Sequence, residues 1–442
     1  MGGLGDRRHL ALAAILLLAL VIRVAVIAAD TGYRPANDAF EYDYYAQSIA
    51  AGDGYPQSGY LRQGGPTAIR GPGYPYLLGG AYAVAGDRRT VGRLLGAALG
   101  TLAVLLIYLI TKRIWGRRVG LLAAGLAAVF PPLVLLSREL LSETLFIPLE
   151  LGAVLCVLNF RRSGGELRWA VAAGTLCGLA VLTRNTALAL LLCIPLGVLV
   201  TGSKLGLHSL RAPIVVLLVA AVVVAPWTVR NAVQFGRFIP VTTSAGITAA
   251  GVYNEASFRD SDTHGAWRDP QIVPRFTPLF VTPGIDEAAV DIALRHEARD
   301  FAWGHPGYVA EVFTWNLVRM FELTGGSVVD GSGRAVDDRG VGSATPTAER
   351  IGVLAALLLA LCGAIAILRS RSASAAQPRQ RPSIPTGPLF LWALPILILA
   401  MTAPINGLPR DRLPADPFLL ILSAIGLAWL GKRVSELMRK AV

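Results

Sequence analysis

The sequence predicts an all-α polytopic membrane protein, with about ten transmembrane helices and two large extracytoplasmic loops that carry interfacial helices. Three observations lead to this fold class. The 442 residues are 54% hydrophobic and only 16% charged, whereas charged residues make up about a quarter of a typical soluble domain. Mostly apolar runs of roughly 18 residues or more, the length that spans a bilayer, recur along the chain. Basic residues cluster in the short turns between these runs.

The first apolar run, HLALAAILLLALVIRVAVIA, occupies positions 9–28 and has the position of a signal peptide. However, the run is long, contains Arg23 and lacks a small-residue cleavage site. We therefore interpret it as a retained signal anchor that forms the first transmembrane helix.

The basic clusters order the remaining spans, because short loops rich in Lys and Arg stay on the cytoplasmic side of a membrane. All clusters fall on one side if the spans run at about 9–29, 91–112, 119–135, 143–160, 169–183, 185–202, 212–229, 350–368, 388–404 and 415–431. This topology predicts a multi-pass protein of the inner (plasma) membrane with both termini in the cytoplasm.

The same topology places the loops 30–90 and 230–349 outside the cell. The segment 369–386, RSRSASAAQPRQRPSIPT, becomes a basic cytoplasmic linker without regular structure. The net charge of +12 lies mainly in turns next to the membrane, so it does not indicate a nucleic-acid partner. The four cysteines all fall in apolar runs, and the sequence has no metal-type Cys/His spacing.

The stretch NDAFEYDYYAQSIAAGDGYP at 37–56 concentrates acids and aromatics directly outside the first span. We predict a helix that Asn37 caps and Gly52 ends. Helical spacing places Asp38, Tyr42 and Tyr45 on one face, with Glu41 as an alternative to Tyr42. A carboxylate there would meet the headgroup of a lipid-borne substrate. The alternative is an interfacial aromatic belt with ordinary solvated acids.

Further charged residues are predicted at the outer membrane boundary. Glu139 and Glu143 in SRELLSETLF are spaced i, i+4, which predicts one shared helical face at the end of the third span. Ionisable groups at membrane depth are expensive and indicate function. Five arginines share this side and could bind phosphate or merely meet lipid headgroups. They are Arg70, Arg184, Arg230, Arg410 and Arg412.

The ordered motifs resemble those of a known family. Their order is NDAFEYDYYAQSIAAGDGY, PTAIRGPGYP, SRELLSETLF, LTRNTAL, PWTVRNAVQFGRF and PRDRLPADPF. This series resembles the polyprenyl-phosphate-sugar-dependent GT-C glycosyltransferases, in the branch of protein O-mannosyltransferase-like and aminoarabinose-transferase-like enzymes. The resemblance covers residues 9–240 well and the final spans moderately.

The resemblance implies three parts of the chain. Residues 1–240 form a GT-C transmembrane module that includes the first outer, catalytic loop 30–90. Residues 241–349 form an extracytoplasmic excursion, which matches no family pattern and contains an interfacial helix. Within it, DEAAVDIALRHEARDFAWG predicts a helix, and the amphipathic PGYVAEVFTWNLVRMFEL is expected to lie along the membrane surface. Residues 350–442 hold the last transmembrane helices and the basic linker 369–386.

The resemblance also implies an activity: inverting transfer of a sugar from a polyprenyl-phosphate donor to an acceptor hydroxyl on the extracytoplasmic face. Asp38 corresponds to the catalytic base of the family, although Asn37 precedes it and Glu41 lies nearby. Glu139 or Glu143 would be the second acid. The five arginines would contact the donor phosphate, and Tyr42 and Tyr45 would help to form the substrate site.

The resemblance requires no particular cofactor. It leaves open whether Asp38 and Glu139 hold a divalent cation (Mg²⁺ or Mn²⁺). It also leaves open whether the acceptor is a glycan, a lipid or a protein. Two other functions share the topology and the buried arginines. One is a transporter or flippase of lipid-linked sugars, and the other is a polymerase or ligase of lipid-linked glycans. Against a transporter, the chain shows no internal repeat, and its charged residues lie at the boundary instead of mid-span.

Overall fold

The structure of the protein is a computed structural model. It describes residues 3–85, 88–199, 207–261, 265–324, 328–329, 335–336, 346–376 and 384–441. Within these residues the fold is almost entirely helical, which confirms the predicted all-α polytopic class. Parts of the predicted outer excursion 241–349 and of the linker 369–386, with Arg379, lie outside the described residues.

Eighteen α-helices are described. They are α1 Gly3–Ala29, α2 Asn37–Ala51, α3 Gly73–Val84, α4 Arg88–Trp115, α5 Arg117–Val129, α6 Pro131–Leu136, α7 Glu143–Arg162, α8 Leu167–Val181, α9 Leu188–Leu199, α10 Arg211–Phe235, α11 Ala245–Ala250, α12 Glu255–Phe258, α13 Thr277–Val281, α14 Glu287–Gly304, α15 Pro306–Met320, α16 Pro346–Ala376, α17 Leu389–Thr402 and α18 Asp416–Ala441. Short 3₁₀ turns occur at Asn185–Ala187, Leu207–Leu210, Pro270–Ile272 and Pro409–Arg412.

Three two-residue strands form a small sheet in the outer part of the chain. They are β1 Trp267–Arg268, β2 Val328–Val329 and β3 Ala335–Val336. β1 runs parallel to β2, with Trp267 beside Val328, and β2 runs antiparallel to β3.

The predicted spans coincide with apolar helices. Six helices (α1, α4, α7, α10, α16 and α18) are long and apolar enough to cross a membrane by length and composition. Three shorter apolar segments coincide with the predicted spans 169–183, 185–202 and 388–404. The predicted span 119–135 is divided into α5 and α6, since Phe130 leaves the helical conformation just before Pro131.

Helix α16 continues past the predicted end of its span. It includes residues 369–376, so the prediction that the whole linker 369–386 lacks regular structure is wrong for its first part. α16 packs along α18, and two glycines allow the close crossing. A Cβ atom at Gly363 would lie 2.1 Å from the carbonyl oxygen of Leu422, and one at Gly426 would lie 2.1 Å from that of Leu359. Small residues commonly permit this approach between membrane helices.

The hydrophobic interior has two parts. The larger cluster joins the spanning helices, and residues such as Ile107, Phe146 and Ile194 are fully buried in it. The smaller cluster lies in the outer region and includes Tyr45 and Val290. In this cluster, α2 and the first outer loop pack against α14 and α15. The helices α14 and α15 were both predicted from the sequence, and the structure confirms them. The described parts of residues 30–90 and 230–349 therefore pack against each other.

Candidate functional site

Helix α2 carries the first acid of the site. Its predicted end at Gly52 is confirmed, because that glycine has a φ of 89° and its N–H bonds to the carbonyls of the last turn. The predicted cap is wrong: Ala36 occupies the N-cap position and no side chain caps the helix. Asn37 is instead the first helical residue and has a φ of 50°, a conformation that Asn tolerates better than most residues.

Two arginines from distant parts of the chain meet at Asp38. Arg70 Nη2 donates to Asp38 Oδ1, and Arg410 Nη2 donates to Asp38 Oδ2 at 2.6 Å. The Nε of Arg70 also donates to Glu41 Oε2 at 2.6 Å. Glu41, which helical spacing offered as an alternative to Tyr42, is thus part of the same network. The Asp38 side chain keeps 26% of its surface exposed, so it is not enclosed by the surrounding protein.

A third arginine extends this network. Arg184 lies 2.6 Å from Glu143 Oε1 and 3.1 Å from Asp411 Oδ1. It comes close to Arg70 because residues 71–73 lie directly against the end of α8: the N–H of Gly73 donates to the carbonyl of Leu182 at 2.8 Å. A Cβ at Gly71 would lie only 2.5 Å from the same carbonyl oxygen, so this contact requires glycine.

Glu139 and Glu143 do not share a helical face, so that prediction is wrong. Glu143 begins α7, while Glu139 lies in the non-helical connection between α6 and α7. The two Glu side chains therefore point to different partners. Glu143 belongs to the Arg184 network, whereas Glu139 lies 3.5 Å from Arg138 and interacts with the hydroxyl of Tyr33.

Arg412 is separated from the network by its own ion pairs. Its guanidinium is almost fully buried, 2.8 Å from Asp416 and 3.5 Å from Glu322, and donates to the carbonyl of Met320. These contacts tie the end of α15 to the start of α18. In the structure, Arg412 therefore links two helices through buried ion pairs. The prediction that it contacts a donor phosphate does not follow from this position.

Arg230 differs from the other arginines in its surroundings. It donates to the carbonyl of Thr67 at 2.8 Å, and its guanidinium lies 4.7 Å from the ring centre of Trp227 and 5.6 Å from that of Tyr55. Among the described residues, no carboxylate lies within ion-pair distance of it. A cation held over aromatic rings retains its full charge for an incoming anion.

The two predicted substrate-site tyrosines are buried in the protein, as their shared helix face requires. Tyr42 packs edge-on against Tyr74, and the guanidinium of Arg70 lies 5.5 Å from the centre of its ring. Tyr45 packs against Tyr55 at 5.0 Å and belongs to the outer hydrophobic cluster. Both rings therefore pack the buried face of α2 against its neighbours. Tyr42 also lies against Arg70, an arginine of the site.

Glu287 is a residue that the sequence did not single out. Its buried carboxylate accepts hydrogen bonds from the hydroxyls of Ser58 and Thr67, both at 2.7 Å, and from the N–H of Ala68 at 2.8 Å. The hydroxyl of Thr243 is a fourth donor. These bonds fix the loop that carries Arg70. Asp411 was also not selected from the sequence. It stands between two arginines in the sequence, and the basic character of that segment drew attention to the arginines instead.

Burial and neighbouring charge act in opposite directions on the acids of the site. Burial alone would raise the pKa of Asp38, but Arg410 and Arg70 outweigh it and hold that pKa below its usual range. For Asp411 burial dominates and raises the pKa to about 6, despite Arg184 and Arg410. Burial also raises the pKa of Glu139 to about 7. Of these three acids, Asp38 is therefore the most firmly ionised at neutral pH.

The arrangement does not fit a divalent cation held by Asp38 and Glu139. Both oxygens of Asp38 accept hydrogen bonds from guanidinium groups, and Glu139 faces a different set of partners. In the described part of the chain, no group of three or more His, Cys, Asp or Glu side chains is placed to hold a metal ion. Positive charge at this site is supplied by arginines.

Comparison with known proteins identifies one family match. Residues 69–229 match the sequence model of the family described as dolichyl-phosphate-mannose-protein mannosyltransferase. This segment contains Arg70, Glu143 and Arg184 of the site. No curated protein matches the chain.

Several solved structures resemble the chain over nearly all of its length. An oligosaccharyltransferase of Archaeoglobus fulgidus, crystallised with Zn and sulfate, has a TM-score of 0.55 and 17% identity, covering 96% of this chain and 49% of that one. AglB from the same organism, with an inhibitory peptide and a dolichol-phosphate, has a TM-score of 0.54 and 16% identity, covering 98% of this chain and 52% of that one.

ArnT from Cupriavidus metallidurans, bound to undecaprenyl phosphate, has a TM-score of 0.44 and 15% identity, covering 98% of this chain and 79% of that one. This chain spans about half the length of the archaeal structures. At these identities the archaeal likeness concerns the fold. The family match covers residues 69–229, less than half of the chain, and the shared fold extends over nearly all of it.

Proposed function

We propose that this protein is an integral membrane glycosyltransferase that moves a sugar from a polyprenyl-phosphate donor to an acceptor hydroxyl. One observation carries the proposal: Arg70 and Arg410, from distant parts of the chain, both bind the carboxylate of Asp38, and Arg184 adds a third positive charge nearby through its pair with Asp411. Several guanidinium groups beside one ionised acid suit a reaction that releases a phosphate and takes up a proton.

In this reaction Asp38 is the general base. A carboxylate has about four lone-pair positions, and the arginines use one on each oxygen, so an acceptor hydroxyl can still approach the exposed side. Asp38 takes the hydroxyl proton while the acceptor oxygen bonds to the anomeric carbon and the bond from that carbon to the phosphate oxygen breaks. Attack from the face opposite the phosphate inverts the anomeric centre.

The arginines stabilise the leaving polyprenyl phosphate, whose negative charge increases as the glycosidic bond breaks. Arg230, which has no carboxylate partner among the described residues, is suited to meet the phosphate first. Transfer of Arg70 or Arg410 from Asp38 to the phosphate would remove the charge that holds the Asp38 pKa low. The base would therefore strengthen as the donor binds.

The direct test is incubation of the purified protein with a panel of radiolabelled polyprenyl-phosphate sugars and candidate acceptor glycans, lipids and peptides. Release of polyprenyl phosphate together with a labelled acceptor is expected for one donor. Movement of intact donor across a vesicle membrane without release would identify a transporter instead. Formation of long glycan products from lipid-linked oligosaccharides would identify a polymerase or ligase.

We also propose that the site faces the extracytoplasmic side and that both termini are cytoplasmic. The basic turns then lie together on the cytoplasmic side. A single cysteine at position 261 should react with an impermeant maleimide added outside whole cells, whereas one at position 163 should react only after the membrane is opened. The parent protein is the control for labelling of the four native cysteines, of which Cys156, Cys177 and Cys193 are buried and Cys362 is partly exposed. Equal labelling of Ser163→Cys and Ser261→Cys from outside would refute this topology.

Two neighbouring arginines should respond differently to replacement. Arg410→Ala should weaken binding of the donor lipid by about 1.5–3 kcal/mol, the scale of a charge-assisted hydrogen bond. Arg412→Ala should instead lower the Tm in detergent, since it leaves Glu322 and Asp416 without this buried partner. Donor titration and thermal unfolding of both variants check this expectation. Weaker donor binding by Arg412→Ala at an unchanged Tm would return Arg412 to the phosphate site.

A further inference from the structure

A cavity of about 440 Å³ lies far from Asp38, at the other end of the helix bundle. It opens between the ends of α4, α16 and α18 and is closed on one side by residues 384–385. α18 begins at Asp416, beside the buried Arg412, whereas the aromatic and charged residues that it contributes to the cavity run from Trp429 to Glu436. At 1.5 Å per residue, this distance along the helix is about 20–30 Å, roughly the thickness of a bilayer core.

The rim of the cavity is basic. Among the described residues, Arg369 from α16 and Lys432 and Arg433 from α18 line it, together with one acid, Glu436. The ion pair between Arg433 and Glu436 is long, at 3.7 Å, and both side chains are about half exposed. Such a pair is weak. Three cations against one acid therefore leave the rim with an excess of positive charge.

Trp429 lies against two of these cations. The guanidinium groups of Arg369 and Arg433 lie 5.7 and 5.6 Å from the centre of the Trp429 ring. On the opposite wall, the indole N–H of Trp115 donates to the carbonyl of Pro385 at 2.7 Å. Tryptophan is enriched where hydrocarbon meets lipid headgroups. The cavity is thus level with a membrane boundary.

The floor of the cavity is apolar, which distinguishes it from a site for a soluble anion. Ala366, Ile425 and Ala428 line it between the helices. A basic rim above an apolar floor matches a molecule with a phosphate at one end and hydrocarbon at the other. The reaction proposed for Asp38 does not use this cavity, because its donor and product phosphates lie at the opposite boundary.

We propose that this cavity binds the phosphate headgroup of an anionic phospholipid from the leaflet opposite Asp38. The phosphate lies between Arg369, Lys432 and Arg433, and the glycerol and first acyl carbons lie on the apolar floor. Electrostatic attraction is strengthened at the edge of the low-dielectric bilayer, where Lys and Arg next to anionic headgroups bind them. The site stabilises the crossing of α16 and α18 from the side opposite the catalytic loops.

The test uses the delipidated, full-length protein in neutral detergent, titrated with phosphatidylglycerol and followed by native mass spectrometry. Phosphatidylcholine is the zwitterionic probe and inorganic phosphate the soluble one. We expect phosphatidylglycerol to bind with one saturable stoichiometry and to raise the Tm. The triple variant Arg369→Gln, Lys432→Gln, Arg433→Gln should weaken this binding by about 10²-fold.

The control removes the same charge elsewhere at this end of the bundle, through Arg118→Gln, Arg162→Gln and Arg439→Gln, three exposed positions outside the cavity. It should change binding of phosphatidylglycerol by less than about 3-fold, on the scale of general charge attraction. Equal weakening in both triple variants would overturn the proposal in favour of a general basic surface. Displacement of the lipid by millimolar inorganic phosphate would overturn it in favour of a soluble anion.

Discussion

Replacement of Asp38 by Asn should lower turnover by about 10²-fold or more, because it removes the general base while keeping the shape of the side chain. The fold should persist, since Asp38 lies at the exposed start of α2 with a quarter of its side-chain surface accessible. Donor binding should also persist, because loss of the carboxylate leaves Arg70 and Arg410 available to the phosphate. Single-turnover release of polyprenyl phosphate separates these two effects.

Two other acids of α2 serve as controls for Asp38→Asn. Asp43 is buried on the other side of the helix, where it accepts hydrogen bonds from Tyr82 and Arg89, both at 2.9 Å. Asp43→Asn should therefore affect stability more than turnover. Glu41→Gln weakens the hydrogen bond that holds Arg70. It should lower turnover less than Asp38→Asn and more than Asp43→Asn. Near-normal turnover by Asp38→Asn, with loss in Glu41→Gln, would transfer the role of base to Glu41.

Replacement of Glu287 by Ala should destabilise the protein by about 3–5 kcal/mol, because four donors lose a buried charged acceptor. Three of the four donors belong to the first outer loop. The loss should therefore loosen the loop that carries Arg70 and weaken donor binding as well. Chemical unfolding in detergent measures the first effect, and donor titration measures the second.

Glu297→Ala is the matched control on the same helix, α14. Its carboxylate pairs with Arg275 in an exposed ion pair, and exposed pairs contribute only about 0–1 kcal/mol. If Glu287→Ala changed the free energy of unfolding as little as Glu297→Ala, the first outer loop would hold Arg70 in place without its bonds to Glu287 of α14. Glu287→Gln should fall between the two, since an amide keeps one acceptor oxygen and replaces the other with a donor.

Local patterns predicted much of the fold and part of the site. Apolar runs and basic turns gave the spanning helices, and the glycine at position 52 gave the end of α2. The five arginines could be recognised because charge at an apolar boundary is unusual. Their partners could not be assigned, since Asp38 and Arg410 are 372 positions apart and no periodic pattern links residues at that separation.

The errors have local physical causes. The i, i+4 relation between Glu139 and Glu143 holds only within a continuous helix, and the chain between α6 and α7 leaves the helical conformation. Asn37 has a good capping side chain, but the helix begins one residue earlier than that role requires. In the sequence, Glu287 is one of many acids in the outer loop. A loop that is distant in sequence buries its carboxylate, and the residues next to Glu287 in the sequence do not indicate this burial.

The network around Asp38 has a consequence for proton balance. Its three guanidinium groups, from Arg70, Arg184 and Arg410, face four carboxylates in the ion pairs described above. An incoming phosphate adds negative charge to a set that already has one acid in excess. Protonation of one carboxylate relieves this excess, and Asp411 is suited to this role because burial raises its pKa to about 6. Donor binding should then consume a proton, so affinity measured by titration should rise as the pH falls from above neutrality towards 6 and level off below 6.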